Sequence, residues 1–183
     1  MLAEWHEFYA LLGTAAAALV ALLFVAASIG TNVFTPDSTH ATRTFMSPVV
    51  FHYTNLLFLS LIALVPGQTP LIFGSIIGVA ALGSLIYSIV TFVRVMRASI
   101  ADLPDRLAYG SAPMAAYAAG LVSAGLLLAG HPAALNVLAG AALLLLVVNI
   151  RNAWDLMLSL ARRAAERRAQ APPPFPPPQA GEG

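Results

Sequence analysis

The sequence has no cysteine and no lysine, and only 9% of its 183 residues are charged. The absence of cysteine excludes disulfide bonds, a thiol nucleophile and a thiolate metal site. A soluble domain carries about 25% charged residues, because its surface must face water. Hydrophobic residues make up 59% of this chain. A chain with so few charges and so many apolar residues is expected in a lipid bilayer.

Five apolar segments are long enough, or nearly so, to cross a bilayer as helices. A span needs about 20 apolar residues at a rise of about 1.5 Å each. The predicted spans lie at about 8–29, 47–65, 71–93, 113–129 and 133–150. The predicted fold is therefore an all-α, polytopic transmembrane helical bundle with five spans.

The last two segments form one apolar stretch, 113–150, which a four-span alternative treats as a single helix. Such a helix is about 57 Å long, nearly twice the thickness of the hydrocarbon core. Pro132, in the middle of the stretch, lacks a backbone N–H and clashes with the preceding turn of a helix. Together with Gly130 and His131, this proline indicates a tight hairpin between two spans.

The nine basic residues are all arginines, and they predict the orientation of the chain. Cytoplasmic loops near helix ends are enriched in arginine and lysine. With five spans, all nine arginines fall on one side, and they are Arg43, Arg94, Arg97, Arg106, Arg151, Arg162, Arg163, Arg167 and Arg168. We therefore expect the N-terminus outside and the C-terminus in the cytoplasm. A four-span topology divides this set between the two sides.

Two segments of different composition follow the last predicted span. Residues 151–169 have amphipathic spacing, with Trp154, Met157 and Leu158 on one side, and this predicts a cytoplasmic helix. Residues 170–183 contain two runs of three prolines, which favour extended polyproline II, so we expect a disordered tail. The cytoplasmic arginines are a candidate site for anionic lipid, at roughly 1 kcal/mol per charge. The alternative is that they only fix the orientation.

One ionisable residue, His52, lies clearly inside a predicted span, and it shares a helix face with Asn55. Polar residues at the same depth on other spans complete a candidate cytoplasm-facing polar pocket; they are Ser88, Thr91, Asn149 and, just below them, Arg94. An ionisable residue within the membrane is a functional hypothesis by default. The alternative is structural: His52 bonds between helices, and the hydroxyls bond to carbonyls of their own helix.

The predicted spans contain no aspartate or glutamate, and this bears on the class of function. An intramembrane peptidase needs a serine–histidine pair, a His-Glu-x-x-His motif or paired aspartates. A proton- or cation-coupled transporter usually needs a buried carboxylate. We therefore expect no catalytic residue, no cofactor and no metal site, and the sequence leans against an enzyme.

The leading hypothesis is a non-enzymatic integral membrane protein, either a self-associating bundle or an accessory subunit of a membrane complex. Small residues at helix-packing spacing favour it, because helices in lipid pack closely at such residues. One alternative is a small channel or permeation protein lined by the polar residues around His52. A second is a lipid- or quinone-linked membrane enzyme or redox subunit. The expected partners are the lipid bilayer and further copies or other membrane subunits, and not nucleic acid.

The first third of the chain carries a resemblance to known sequences. FYALLGTAAAALVALLFVAASI, followed by ATRTFMSPVVFHYTNLLFLSLIALVP, resembles small multi-span inner-membrane proteins of bacteria whose function is unknown. The resemblance implies a location in the bacterial inner membrane. It implies no chemistry and assigns no functional residue.

Overall fold

The computed structural model describes residues 2–30, 36–98 and 103–170, and this part of the chain consists of helices joined by turns, without a strand. A short 3-10 helix, Leu2–Trp5, comes first. Five α-helices follow in the described part: α1 (His6–Gly30), α2 (Pro36–Ala63), α3 (Pro70–Ala98), α4 (Leu103–Leu128) and α5 (Ala134–Gln170). The predicted all-α class is confirmed. The predicted disordered tail lies outside the described residues, apart from Gln170.

Within the described residues, four helices contain a stretch long and apolar enough to cross a membrane. These stretches are His6–Val25, Pro70–Arg94, Gly110–Leu128 and Ala134–Ser159. α2 has only a shorter apolar stretch, Pro48–Ala63. That stretch rises about 24 Å, which is less than the roughly 30 Å of a hydrocarbon core. The fold thus fits an integral membrane protein, in which the apolar stretch of α2 is shorter than the thickness of the hydrocarbon core.

Two helices begin well before the spans that the sequence predicts. α2 starts at Pro36 rather than near residue 47, and α4 starts at Leu103 rather than near 113. The predicted limits followed the apolar residues alone, whereas a helix also continues through polar residues. Proline suits the first turn of a helix, where its missing N–H has no helical partner. Pro36 and Pro104 stand in such first turns.

A tight turn separates α4 from α5, so the long apolar stretch is a helical hairpin. Gly130 has a φ of 69° there, a conformation that glycine adopts without a steric cost. The N–H of His131 donates to the carbonyl oxygen of Leu126 at 2.8 Å, and the N–H of Gly130 donates to that of Leu127 at 3.0 Å. This pair of bonds is the Schellman ending of a helix.

α3 and α4 pack closely along a small-residue face of each helix. A Cβ added to Gly74 would lie 3.1 Å from the Cβ of Leu127, and one added to Gly120 would lie 3.4 Å from the Cβ of Ala81. Because Gly74 is opposite Leu127 and Ala81 is opposite Gly120, the two helices run antiparallel. Close backbone approach of this kind supplies much of the attraction between helices in lipid.

α2 runs lengthwise between α1 and α5. Near its end it packs on α1, where a Cβ added to Gly13 would lie 2.9 Å from that of Ser60. Nearer its start, Tyr53 faces Leu23 of α1 and Met157 of α5 across a shared groove. Gly13 precedes Leu23 whereas Ser60 follows Tyr53, so α1 and α2 are antiparallel.

The two ends of the bundle differ in chemistry. Fully buried apolar side chains of one core cluster lie at the end where α3 begins and α4 ends; they include Phe73, Leu127 and Leu135, and we call this the apolar end. At the other end α3 finishes and α5 extends beyond its neighbours. Arg94, Arg97 and Arg151 are exposed there, and we call it the arginine end.

The extension of α5 buries a different face from the one that the spacing of its apolar residues suggests. Asn152 and Leu156 are buried, whereas Trp154 is 65% exposed and Leu158 41% exposed. The buried face of the extension continues the face that α5 buries inside the bundle. This face contains positions 145, 149, 152 and 156. Trp154 and Leu158 stand on the neighbouring, open side.

Replacing Gly74 by leucine should destabilise the bundle, because Leu127 and Leu128 already lie against this position. Overpacking of a close contact costs about 1–3 kcal/mol. Gly83→Leu on the same helix is the matched control, since nothing lies within 4 Å of a Cβ added at Gly83. The measurement is the free energy of unfolding in detergent micelles. Equal values for the two variants would contradict the α3–α4 contact.

Candidate functional site: a polar network on α2

His52 is buried and hydrogen-bonded to another helix. Its side chain is 3% exposed, and its Nδ1 lies 2.8 Å from the hydroxyl oxygen of Tyr117 in α4. The centres of the two rings are 5.6 Å apart. The ionisable residue to which the sequence points therefore has a specific partner, and that partner is not among the predicted site residues.

Asn55, one turn further along α2, bonds to a third helix. The hydroxyl of Ser84 in α3 donates to Asn55 Oδ1 at 2.9 Å, and Asn55 Nδ2 donates to the backbone carbonyl of Phe51 at 2.9 Å. His52 and Asn55 stand one turn apart on α2, and their partners Tyr117 and Ser84 line one crevice between the helices. We call these four residues the polar network.

Ser84 has one hydroxyl proton, and it is used on Asn55 Oδ1. The bond between His52 Nδ1 and the Tyr117 hydroxyl takes its direction from the imidazole tautomer: a protonated Nδ1 donates to the tyrosine oxygen, and an unprotonated Nδ1 accepts the tyrosine proton.

A hydrogen bond from Asn149 joins α5 to α2 at a point close to His52. It is 1% exposed, and its Nδ2 donates to the backbone carbonyl of Val49 at 2.9 Å. Its Oδ1 is buried and has no hydrogen-bond partner among the described residues. Asn149 is therefore joined to the helix that carries His52, but to its backbone rather than to the polar network.

The three remaining predicted residues follow one another along α3 toward the arginine end. Ser88 is buried one turn beyond Ser84, and in the described part of the chain its hydroxyl has no partner. Thr91 is half-buried and Arg94 is exposed. The structure thus brings together His52 and Asn55, places Asn149 beside them, and sets Ser88, Thr91 and Arg94 in a row leading to the surface.

A crevice of about 60 Å³ adjoins the polar network between α2, α3, α4 and α5. Asn55, Ser84 and Tyr117 are its polar lining, and apolar side chains such as Leu56 and Leu138 form the rest. About 10–15 Å³ of such space holds one water, so the crevice has room for a few. Toward the apolar end, the interior of the bundle is filled by the side chains of Phe73, Leu127 and Leu135.

Ser84 and Tyr117 are the residues that sequence reasoning missed. Both stand in stretches dominated by small and apolar residues, which the sequence marks as packing faces. Depth was the signal that was available for Tyr117, which lies four residues after the start of the predicted span 113–129. That depth is similar to the depth of His52, which lies five residues after the start of the predicted span 47–65.

The described residues include no group of three histidine, cysteine, aspartate or glutamate side chains able to hold a metal ion. The polar network itself offers one imidazole, one phenol, one hydroxyl and one amide. Divalent metal sites of proteins are built from several imidazole, thiolate or carboxylate ligands. The arrangement is suited to bonding helices together and to holding water, rather than to binding a metal.

Ser84→Ala should weaken the bundle, because it removes the donor to Asn55 Oδ1 with little change in volume. Hydrogen bonds between membrane helices contribute about 0.6 kcal/mol on average and about 1.7 at most. We expect a loss of about 1 kcal/mol in the free energy of unfolding. Ser75→Ala, at an exposed position of the same helix, should cause no loss. Equal free energies of unfolding for Ser84→Ala and Ser75→Ala would mean that the polar network does not stabilise the bundle.

Comparison of the chain with protein-family models, with curated proteins and with solved structures found no match. The resemblance of the first third of the chain to small bacterial inner-membrane proteins therefore stays a prediction. Because no relative supplies an activity, the proposed function rests on the contacts within the bundle.

Proposed function

We propose that this chain is a non-enzymatic integral membrane protein with five spans, which works as a self-associating bundle or as an accessory subunit of a membrane complex. One observation carries the proposal: polar side chains inside the bundle bond one helix to another. His52 bonds to Tyr117, Ser84 to Asn55, and Asn149 to the carbonyl of Val49. These groups are engaged in holding the helices together.

The same bonds support α2 as the second span, although its apolar stretch is short. Polar groups inside a membrane protein face other helices and bond with them. α2 is hydrogen-bonded to α3, α4 and α5 and packs along α1 on another side. A helix enclosed in this way needs less apolar surface than one that faces lipid. Since α2 is antiparallel to α1, a chain that crosses with α1 returns with α2.

The arginine distribution supports the proposed orientation, with the N-terminus outside and the arginine end in the cytoplasm. Arg94, Arg97 and Arg151 are exposed at one end of the bundle, and arginine is enriched on the cytoplasmic side of membrane proteins. We propose a bacterial inner membrane as the location, in line with the resemblance of the first third of the chain.

The filled apolar end argues against a channel formed by one copy. Phe73, Leu127 and Leu135 are fully buried there and come from three different helices. An ion that reached the crevice from the arginine end would meet this apolar cluster instead of a path. The channel hypothesis therefore requires a pore between copies rather than one through the bundle.

The outward face of α4 is the surface that best suits association with another helix. Small residues follow one another along it at exposed positions: Ala115, Ala118 and Gly125, with Val122 among them. In lipid, such residues allow a second helix to approach closely, and this is the main source of helix–helix attraction there. α4 uses its other faces against α3 and α5.

Native mass spectrometry of the protein, gently extracted from its host membrane, tests the proposal. We expect several copies, or other polypeptides in fixed ratio. Ala118→Phe should reduce the assembled fraction, because it fills the small-residue face of α4. Val79→Phe is the control, since Val79 is an exposed residue of α3 and already large.

Two results would count against the proposal. One is a preparation that contains only single copies. The other is a flux of ions or solutes into liposomes that His52→Ala or Asn55→Ala abolishes while the assembled state is unchanged. The second result would favour the channel hypothesis and would make the polar network part of a permeation path.

A further inference from the structure

α1, α2 and α5 enclose an apolar groove of about 310 Å³ near the arginine end. Its floor includes Tyr53 and Leu23, which are 0% and 6% exposed. Its rim includes Leu22, Ile150 and Trp154, which are largely exposed. The remaining lining residues are Leu19, Ala153 and Met157. The groove is therefore a surface feature with a deep apolar floor, separate from the crevice at the polar network.

The groove lies at the depth where α5 leaves the hydrocarbon. Its lining residues on α5, from Ile150 to Met157, come about 24–35 Å along the helix from Ala134 at 1.5 Å per residue. A hydrocarbon core is about 30 Å thick, so the groove extends across the boundary between acyl chains and headgroups. Trp154 fits this position, because amphipathic aromatic rings favour the headgroup level.

A polar group on the floor of the groove lacks a partner. The hydroxyl of Tyr53 is buried, and it makes no hydrogen bond with any residue that the structure describes. Buried hydroxyls are normally hydrogen-bonded, because leaving one unpaired costs free energy. Long side chains of a helix lean toward its N-terminal end, which for α2 is the arginine end. An acceptor oxygen of a ligand at headgroup depth would satisfy this hydroxyl.

Positive charge lies beside the rim of the groove. Arg151 is exposed one turn from Trp154, and Arg162 is exposed further along the same helix. Arg151 also contacts Asp155 at 3.8 Å. Residues 151–170 contain five arginines against two acidic residues, so this segment keeps a net positive charge that attracts anionic lipid headgroups.

We propose that this groove binds one anionic phospholipid. An acyl chain lies along the apolar walls, an ester oxygen accepts a hydrogen bond from Tyr53, and the phosphate lies near Arg151 and Arg162. A second copy of the chain is a poorer occupant, because a parallel copy brings its own arginine-rich segment to the same depth and repels the first. A phospholipid supplies the missing acceptor, the apolar chain and the opposite charge together.

Quenching of tryptophan fluorescence tests whether lipid occupies the groove. The chain has two tryptophans, so Trp5→Phe leaves Trp154 at the rim as the only reporter. The full chain is reconstituted in vesicles that contain either phosphatidylglycerol or phosphatidylcholine with brominated acyl chains, in a background of unbrominated phosphatidylcholine. We expect phosphatidylglycerol to quench at a several-fold lower fraction of lipid. Equal quenching by the two lipids would overturn the proposal.

Charge variants separate the groove from general attraction to the arginine end. In R151Q/R162Q we expect the preference for phosphatidylglycerol to fall about thirtyfold, because two charges at roughly 1 kcal/mol each amount to about 2 kcal/mol. R94Q/R97Q removes the same number of exposed charges from α3, away from the groove, and should leave the preference of Trp154 unchanged. An equal fall in both double variants would mean bulk surface attraction and would overturn the proposal.

Filling the groove provides an independent readout by native mass spectrometry. Ala153→Phe should reduce the number of phosphatidylglycerol molecules retained by the protein by one, because Ala153 lines the groove. Val147→Phe, at an exposed position of α5 outside the groove, should retain as many as the unchanged chain. If Ala153→Phe instead dissociates a dimer and leaves lipid retention unchanged, a second copy occupies the groove and the proposal fails.

Discussion

A polar side chain in hydrocarbon has to find its hydrogen-bond partners inside the protein, because lipid offers none. In this chain such partners converge on α2. Tyr117 of α4 bonds to His52, Ser84 of α3 bonds to Asn55, and α5 bonds to the α2 backbone. Among the described α-helices, the one with the shortest apolar stretch is therefore the one that three others hold by polar bonds. The arrangement of the bundle depends on these contacts, and the small-residue contacts of α3 with α4 complete it.

The bonds also explain why the two ends of the bundle differ. The polar network and the exposed arginines lie toward one end, and large apolar side chains such as Phe73 and Leu127 fill the other. Hydrogen bonds fix which helices are neighbours, whereas apolar packing closes the interior. We propose for this bundle a structural part in a membrane assembly, with lipid at the arginine end and another helix on the face of α4. The crevice beside the polar network has room for a few waters.

The helices follow from the sequence because each depends on residues near one another in the chain. Apolar runs locate the four long stretches, and Gly130 with Pro132 indicates the hairpin. His52 and Asn55 stand out because they are polar residues in an apolar run. Their partners do not stand out, because pairing with Tyr117 and Ser84 depends on which helices touch and how each is rotated. The buried face of the α5 extension could not be predicted for the same reason. Packing against the rest of the bundle decides which face is buried, and the spacing of apolar residues around Trp154 does not.

Comparing the side of the N-terminus with the side of the loop between α2 and α3 shows most directly whether α2 crosses the bilayer, because α1 and α2 lie between these two points. The chain has no cysteine, so single cysteines can be placed at Glu4, before α1, and at Thr69 in that loop, both exposed. In spheroplasts treated with a membrane-impermeant maleimide, we predict that Glu4→Cys and Thr69→Cys both react at once. Reaction of one at once and of the other only after permeabilisation would mean that α2 does not cross, and that its hydrogen bonds serve another arrangement.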